Sequence, residues 1–221
     1  MNILALETAT DACSVALLTA VGLWSRHEVA PRQHTDLLLG MIDAVLADAA
    51  VTRNNIDGVA FGHGPGSFTG VRIAASVAQG IAAARNLPVA PVSSLRALAA
   101  GAIVADEGGR VLVALDARRA EIYFAAYEFD ADNVDSRAHC QDCVIAPEDV
   151  RIPDGVSWLR AGNGWDAYAS RLPAAVQALP AATVTFPDAR HIASLGAAEF
   201  AAGRGVSAAA AIPRYLRGAV G

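Results

Sequence analysis

The segment AFGHGPGSFTGVRIAASVAQGIAAA, Ala60–Ala84, limits the fold more than any other part of the chain. An apolar run ends at Val59-Ala60-Phe61, a loop with Gly62, Gly64, Gly66 and Gly70 follows, and an Ala-rich segment with helical spacing comes next. Strand, glycine loop and helix in that order make an α/β unit. The loop offers backbone N–H groups at the positive end of a helix dipole, which suits an anion. Known phosphate fingerprints do not fit, however. GHGPGSFTG lacks the Lys-Ser/Thr that ends a P-loop. A dinucleotide loop would follow the first strand, with an acidic residue about twenty positions later. Pro65-Gly66 is a turn dipeptide in its own right. On residues alone, a turn for close helix–sheet packing and a phosphate site both stay open.

The flanking patterns extend this unit. Asn2–Thr8 and Cys13–Thr19 are β-rich runs joined by the polar turn Ala9–Ala12, and LWSRHEV after Val21-Gly22 completes an antiparallel meander. Leu37, Leu38, Met41, Ile42, Val45 and Leu46 recur with the period of an amphipathic helix, with Thr35 or Asp36 as its cap. IDGVAFG and LPVAPVSS read as strands and SLRALAAGAI as a short helix. The pattern restarts near Asp106–Gly109. RVLVALDA and AEIYFAAYEF read as strands around the turn Asp116–Arg119, and a looser stretch runs to about Pro153. A strand (SWLRAG), a helix (Asp166–Leu172), a strand (ATVTF) and a final helix (Ile192–Gly203) follow. Both halves thus open on antiparallel strands and continue as alternating strand and helix. The expectation is two related α/β lobes, 1–104 and 105–221, with the last helix free to pack back on the first lobe.

Composition excludes several classes. Of 221 residues 54% are hydrophobic, much of that alanine, yet the apolar runs break well short of the roughly 20 residues that span a bilayer. Met1-Asn2 leads straight into a strand with no basic n-region, so a cytoplasmic protein without a signal peptide is expected. A net charge of -5 argues against direct reading of nucleic acid. Three cysteines make no disulfide framework. Cys140 and Cys143 form a lone CxxC, short of the four ligands of a structural zinc, and read as ordinary reduced thiols. His34 and His63 read as capping or solvent-facing residues.

Four segments in order, LALETATDACSVALL, GHGPGSFTGVRIAASVAQGIA, VSSLRALA and LDARRAEIYFAAY, resemble the TsaB (YeaZ) family, the small partner in bacterial tRNA threonylcarbamoyladenosine synthesis. The likeness runs from Asn2 to about Tyr127, with a weaker echo in PRYLR. GPGSFTGVR is its most specific block. It implies a two-lobed α/β fold of the actin, hexokinase and Hsp70-like (ASKHA) kind. It also implies a non-catalytic scaffold that pairs with a TsaD-like catalytic subunit for threonylcarbamoyl transfer to N6 of the adenosine beside the tRNA anticodon. A TsaE-like ATPase is a further partner it implies. One departure is Glu7, where family members usually carry Asp. The catalytic relative has a metal-binding His-x-x-x-His where this chain places Ser94 and Leu98, a poor ligand and a non-ligand for iron or zinc. Its Gly-rich phosphate hairpin corresponds to the bulky Asp116–Glu121. The expectation is therefore no metal and no tightly bound cofactor, with any ATP or ADP at the partner interface. Two alternatives stand beside this reading. One is an ATPase or small-molecule kinase of the same fold, using Glu7, Arg118, Arg119 and Asn163 on a magnesium-nucleotide. The other is a metalloprotease, against which the missing His-x-x-x-His counts.

The resemblance also places the partner surface on the helix after the glycine loop and the helix after RQH. Val71, Ala74, Ala75, Ala78 and Ile81, with Leu38, Met41, Ile42 and Val45, are the expected interface. The isolated chain is expected to bury them as a homodimer, and Ala78→Arg to give folded monomers. Gly64, Pro65, Gly66, Ser67, Thr69 and Arg72 would shape the entry to that helix: Ser67 or Thr69 caps it, and Arg72 points to the partner or the cleft. Gly66→Val is expected to spoil pairing and tRNA modification together. No direct tRNA reading and no membrane are expected.

Overall fold

Every side chain of Ile3–Glu7 is buried, as in a strand covered on both faces. This strand, β1, organises the first sheet. It pairs antiparallel with β2 (Ala12–Leu18), which pairs antiparallel with the largely exposed β3 (Leu23–Val29). On its other side β1 runs parallel to β4 (Gly58–Gly62), and β4 parallel to β5 (Val89–Val92). The order β3-β2-β1-β4-β5, two parallel strands added to an antiparallel meander, is a mixed sheet of the α/β class expected from the sequence. The computed structural model describes residues 1–103, 108–130, 136–154 and 157–217.

Alternation along the strands divides this sheet's two faces. Leu4, Leu6, Val15, Leu17, Val59 and Phe61 share a core with α1 (His34–Asp48) and α2 (Phe68–Arg85). α3 (Ser94–Ala102) follows β5. In the second sheet β6 (Gly109–Asp116) and β7 (Ile122–Phe129) form a hairpin, β8 (Ser136–Ile145) pairs antiparallel with β7, and β9 (Trp158–Ala161) runs parallel to β6. The order β8-β7-β6-β9 repeats β3-β2-β1-β4. Leu112, Ala114, Ile122, Phe124, Trp158 and Trp165 form its core beside the short helices α4 (Gly164–Ala167) and α5 (Ala174–Gln177). The last helix, α6 (Ala189–Ala201), lies on the first sheet, where Gly196 approaches Ala60 so closely that an added Cβ would stand 2.5 Å from the Ala60 Cβ.

The chain divides into one unit of Met1–Ala97 with Pro187–Arg214 and a second of Leu98–Phe186 with Tyr215 onward. The boundary expected between 104 and 105 lies outside the described residues, and the segment carrying α6 belongs to the first unit. Four local expectations need correction. α1 starts at His34 with Gln33 in the N-cap position and no side-chain cap, so neither Thr35 nor Asp36 serves. His34 is buried and donates from Nε2 to the Thr10 carbonyl at 2.8 Å, tying the helix start to the β1–β2 turn. The stretch read as loose holds β8, whose register shifts erase the alternation a strand would show. ATVTF forms no strand: Gly162 donates to Val184 and Ala182 to Arg160, but no continuous ladder follows. Among the described residues no helix is long and apolar enough to cross a membrane.

Candidate functional site

The glycine loop is shaped by what fills the space beside each glycine. Ser67 donates its backbone N–H to the Ala9 carbonyl at 2.7 Å, which draws the loop onto the β1–β2 turn. A Cβ on Gly66 would stand 2.3 Å from that same carbonyl oxygen, and one on Gly70 2.0 Å from the Thr8 oxygen. The Thr8 hydroxyl donates to the Gly70 carbonyl at 2.7 Å. Gly64 takes a positive φ of 100° and joins Pro65 through a cis peptide bond. Ser67, not Thr69, is the N-cap of α2, accepting the Gly70 N–H at 3.4 Å. Carbonyl oxygens, the negative ends of peptide dipoles, therefore occupy the room that Gly66 and Gly70 leave. A phosphate there would meet repulsion. Of the two readings open for this loop, the geometry favours close packing of helix on turn.

Glu7 closes the same region from below. It is fully buried, accepting the Ala9 N–H at 2.6 Å and the Ser94 hydroxyl at 2.7 Å. Gly62 leaves room for it, since a Cβ there would lie 1.9 Å from Glu7 Oε2. Ser94, at the position of a metal ligand in the catalytic relative, thus spends its hydroxyl on Glu7, and Leu98 is buried core. Glu7 is an internal carboxyl of the first unit rather than an open nucleotide contact. Burial pushes it up to about 7, against the lowering effect of its hydrogen bonds.

A folded-state value above the unfolded one means that the native state holds the proton more tightly. The neutral carboxyl's advantage is complete below its unfolded value of 4.5 and is lost as pH rises through about 7. Glu7→Gln mimics the protonated form. Wild-type stability should fall between about pH 5 and pH 8 by up to roughly 3 kcal/mol relative to Glu7→Gln. Urea unfolding of both proteins at the two pH values measures this, and parallel losses would refute it.

In the second unit Asp116 is the hub that the sequence presented only as a turn residue. Its backbone N–H donates to Asn163 Oδ1 at 3.1 Å, while its carboxylate accepts from the Arg118 N–H at 2.7 Å and the Tyr168 hydroxyl at 2.8 Å. Arg118 completes an ion pair with it at 2.9 Å. Arg118, Arg119 and Ala120 all take left-handed φ, and Arg119 is exposed. Of the candidate nucleotide contacts here, Asn163 and Arg118 are engaged in holding the hairpin. An aspartate opening a tight turn was the available signal, because such a carboxylate bonds the backbone two residues on.

The expected interface residues are core residues. Leu38, Met41, Ile42 and Val45 of α1 and Val71, Ala74, Ala75 and Ala78 of α2 are buried, and Ile81 is half-buried against them. The small residues of α2 let it lie close on β4 and β1 rather than on another molecule. The outward stripe of α2 is Phe68, Arg72, Ser76 and Gly80, and the exposed residues of α1 include Leu39, Gly40 and Asp43. Arg72 stacks its guanidinium 3.3 Å above the Phe68 ring. Leu39 and Phe68 are 59% and 61% exposed. A Cβ on Gly40 or Gly80 would meet nothing within 4 Å. Each mid-helix glycine costs about 1 kcal/mol against alanine, and no neighbour among the described residues requires it. Among the described residues no group of three or more His, Cys, Asp or Glu side chains is placed to hold a metal ion.

Residues 26–217 match the family model described as TsaD, tRNA N6-adenosine threonylcarbamoyltransferase. The tRNA threonylcarbamoyladenosine biosynthesis proteins TsaB of Haemophilus influenzae and Escherichia coli are each 37% identical to this chain. The alignments cover 100% and 98% of it and 95% of each relative. Two solved structures from Pseudomonas aeruginosa share the fold at 41% identity: YeaZ, with a TM-score of 0.89, and a protein described as similar to peptidase YeaZ, with 0.90. The first covers 97% and the second 98% of this chain, and each match takes in 99% of the solved chain. Sequence and architecture agree along nearly the whole length, and the chain belongs to the TsaB family.

Proposed function

We propose that the chain serves tRNA threonylcarbamoyladenosine biosynthesis as a cytoplasmic, non-catalytic subunit that pairs with a TsaD-like catalytic subunit. The near full-length match to proteins named for that process carries this reading. The filled glycine loop and the engaged Glu7 and Ser94 support a scaffold over a catalyst. Pairing uses the outward stripes of α1 and α2, with Gly40 and Gly80 admitting a partner helix closely. The same face supports a homodimer when the chain is alone. ATP or ADP belongs to the joint assembly, as does a TsaE-like ATPase.

Gly80→Arg tests this surface. The position is open, and arginine is a better helix former than glycine by somewhat less than about 1 kcal/mol, so the variant should melt at or above the wild-type temperature. It should fail to co-purify with the catalytic subunit and should lower the modified fraction of tRNA in cells that depend on it. Arg72→Ala should leave stability nearly unchanged and lower modification when partner is limiting. A Gly80→Arg protein that pairs normally would place the interface elsewhere. Titration of the isolated chain with magnesium-ATP checks the non-catalytic reading, which tight binding with turnover would end.

A further inference from the structure

In a regular strand, residues three apart point to opposite faces of the sheet. Cys140 and Cys143 of β8 do not. Cys143 lies opposite Phe124 and Cys140 opposite Ala126, so three steps on β8 match two on β7. This β-bulge returns both cysteines to the face of Phe124 and Ala126, where they pack against the core of the second unit. Their sulfurs are 4.0 Å apart. Asp142, between them, is buried and accepts the Tyr127 hydroxyl at 2.6 Å. A second register shift follows directly, between Ala126 and Tyr127. β8 is the last strand in the order of its sheet, and among the described residues β7 is its one strand neighbour. Both thiols are partly exposed.

We propose that Cys140 and Cys143 form a reversible dithiol–disulfide site that reacts with low-molecular-weight disulfides of the glutathione class. Cys140 attacks and Cys143 resolves. The Cys140 thiolate attacks one sulfur of glutathione disulfide, whose S–S bond breaks to leave a mixed disulfide on Cys140 and one glutathione thiolate. Cys143 then gives its proton to solvent, attacks the Cys140 sulfur and expels the second glutathione thiolate. The protein loses two hydrogens with their two electrons, and glutathione disulfide gains them as two thiols. Excess reduced glutathione runs the exchange backwards.

The roles follow from the pair's geometry. A hydrogen bond from the Cys143 thiol pulls Cys140 down to about 7, while the same bond and burial hold the Cys143 proton well above the usual thiol range. Asp142 raises both, the smallest of these influences. Closing the bond draws the sulfurs from 4.0 Å to about 2 Å, and the irregular register of this edge strand lets its backbone follow. Cys13 is an internal control. It is fully buried in the first unit, and burial is the main cause pushing its thiol up to about 11.

The test equilibrates the full chain in glutathione buffers from reducing to oxidising and quenches with an alkylating reagent. The peptide spanning Ala138 to Arg151, which holds both cysteines, is then weighed. Two thiols should disappear together, the peptide should lose two hydrogens, and Cys13 should stay reduced. Cys143→Ser should stop at one glutathione on Cys140. Cys140→Ser should react roughly tenfold more slowly near neutral pH, the ratio of thiolate fractions between a thiol titrating near 7 and an ordinary one. Wild-type protein that stops at a single glutathione adduct, that keeps both thiols under the most oxidising buffer, or in which Cys13 reacts alongside them would overturn the proposal.

Discussion

Ala78→Arg will not give a folded monomer. Ala78 is fully buried in α2, within the core that joins that helix to β1, β4 and α1. Arginine there must either push α2 off the sheet or bury a guanidinium without a partner. An unpaired buried charge costs several kcal/mol, and the added volume costs more. The sum, about 5 kcal/mol or more, matches the lower end of what a domain of ordinary stability has in total. The variant should accumulate as insoluble protein, or as a soluble form without a cooperative thermal transition. Gly80→Arg adds the same side chain two residues later on the open face and should fold. Circular dichroism melts on the pair decide the matter. A wild-type transition in Ala78→Arg would mean that this face of α2 is not core.

The pair of variants also shows where sequence reading reaches its limit. Periodicity identifies which residues of a helix share a face, but not what covers that face. In α2 nearly every position is apolar or small, so the sheet-facing set and the outward-facing set look alike until the sheet is in place. The strands of the first sheet were legible because β1, β4 and β5 are short apolar runs and the meander β1–β3 has clear breaks. β8 was not, because two register shifts remove its alternation. Glu7 could be recognised as an acid at a strand end. Its hydrogen bond to Ser94 joins residues 87 positions apart, and no local pattern encodes that. The bonds that draw Asn163, Arg118 and Tyr168 to Asp116 are partly of the same kind, with Asn163 and Tyr168 47 and 52 positions from the aspartate. The glycines were conspicuous, but the Thr8 and Ala9 carbonyls that make them necessary lie far back in the chain.

Those carbonyls set the expectation for Gly66→Val. The new Cβ would stand 2.3 Å from the Ala9 oxygen and 2.6 Å from the Ala9 Cβ, separations that atoms do not adopt. Relief requires the loop to lift from the β1–β2 turn, which breaks the 2.7 Å bond from Ser67 N–H to Ala9 and weakens the Thr8–Gly70 bond beside it. Backbone, not a flexible side chain, stands in the way, so little can be absorbed by rotamer changes. The expected loss is about 4 kcal/mol or more, in the range where one named structural fault dominates. Gly80→Ala, in the same helix but facing open space, should gain about 1 kcal/mol. This adds a cause to the expectation that Gly66→Val spoils pairing and tRNA modification together: the isolated chain weakens first, and pairing falls in proportion to the folded fraction. A nucleotide cradle would behave otherwise, keeping its unfolding midpoint while losing ATP binding. Urea midpoints and magnesium-ATP titrations of both variants separate the outcomes. A wild-type midpoint in Gly66→Val would show that the loop does not rest on Ala9, and with it would go the argument that this loop is built for packing.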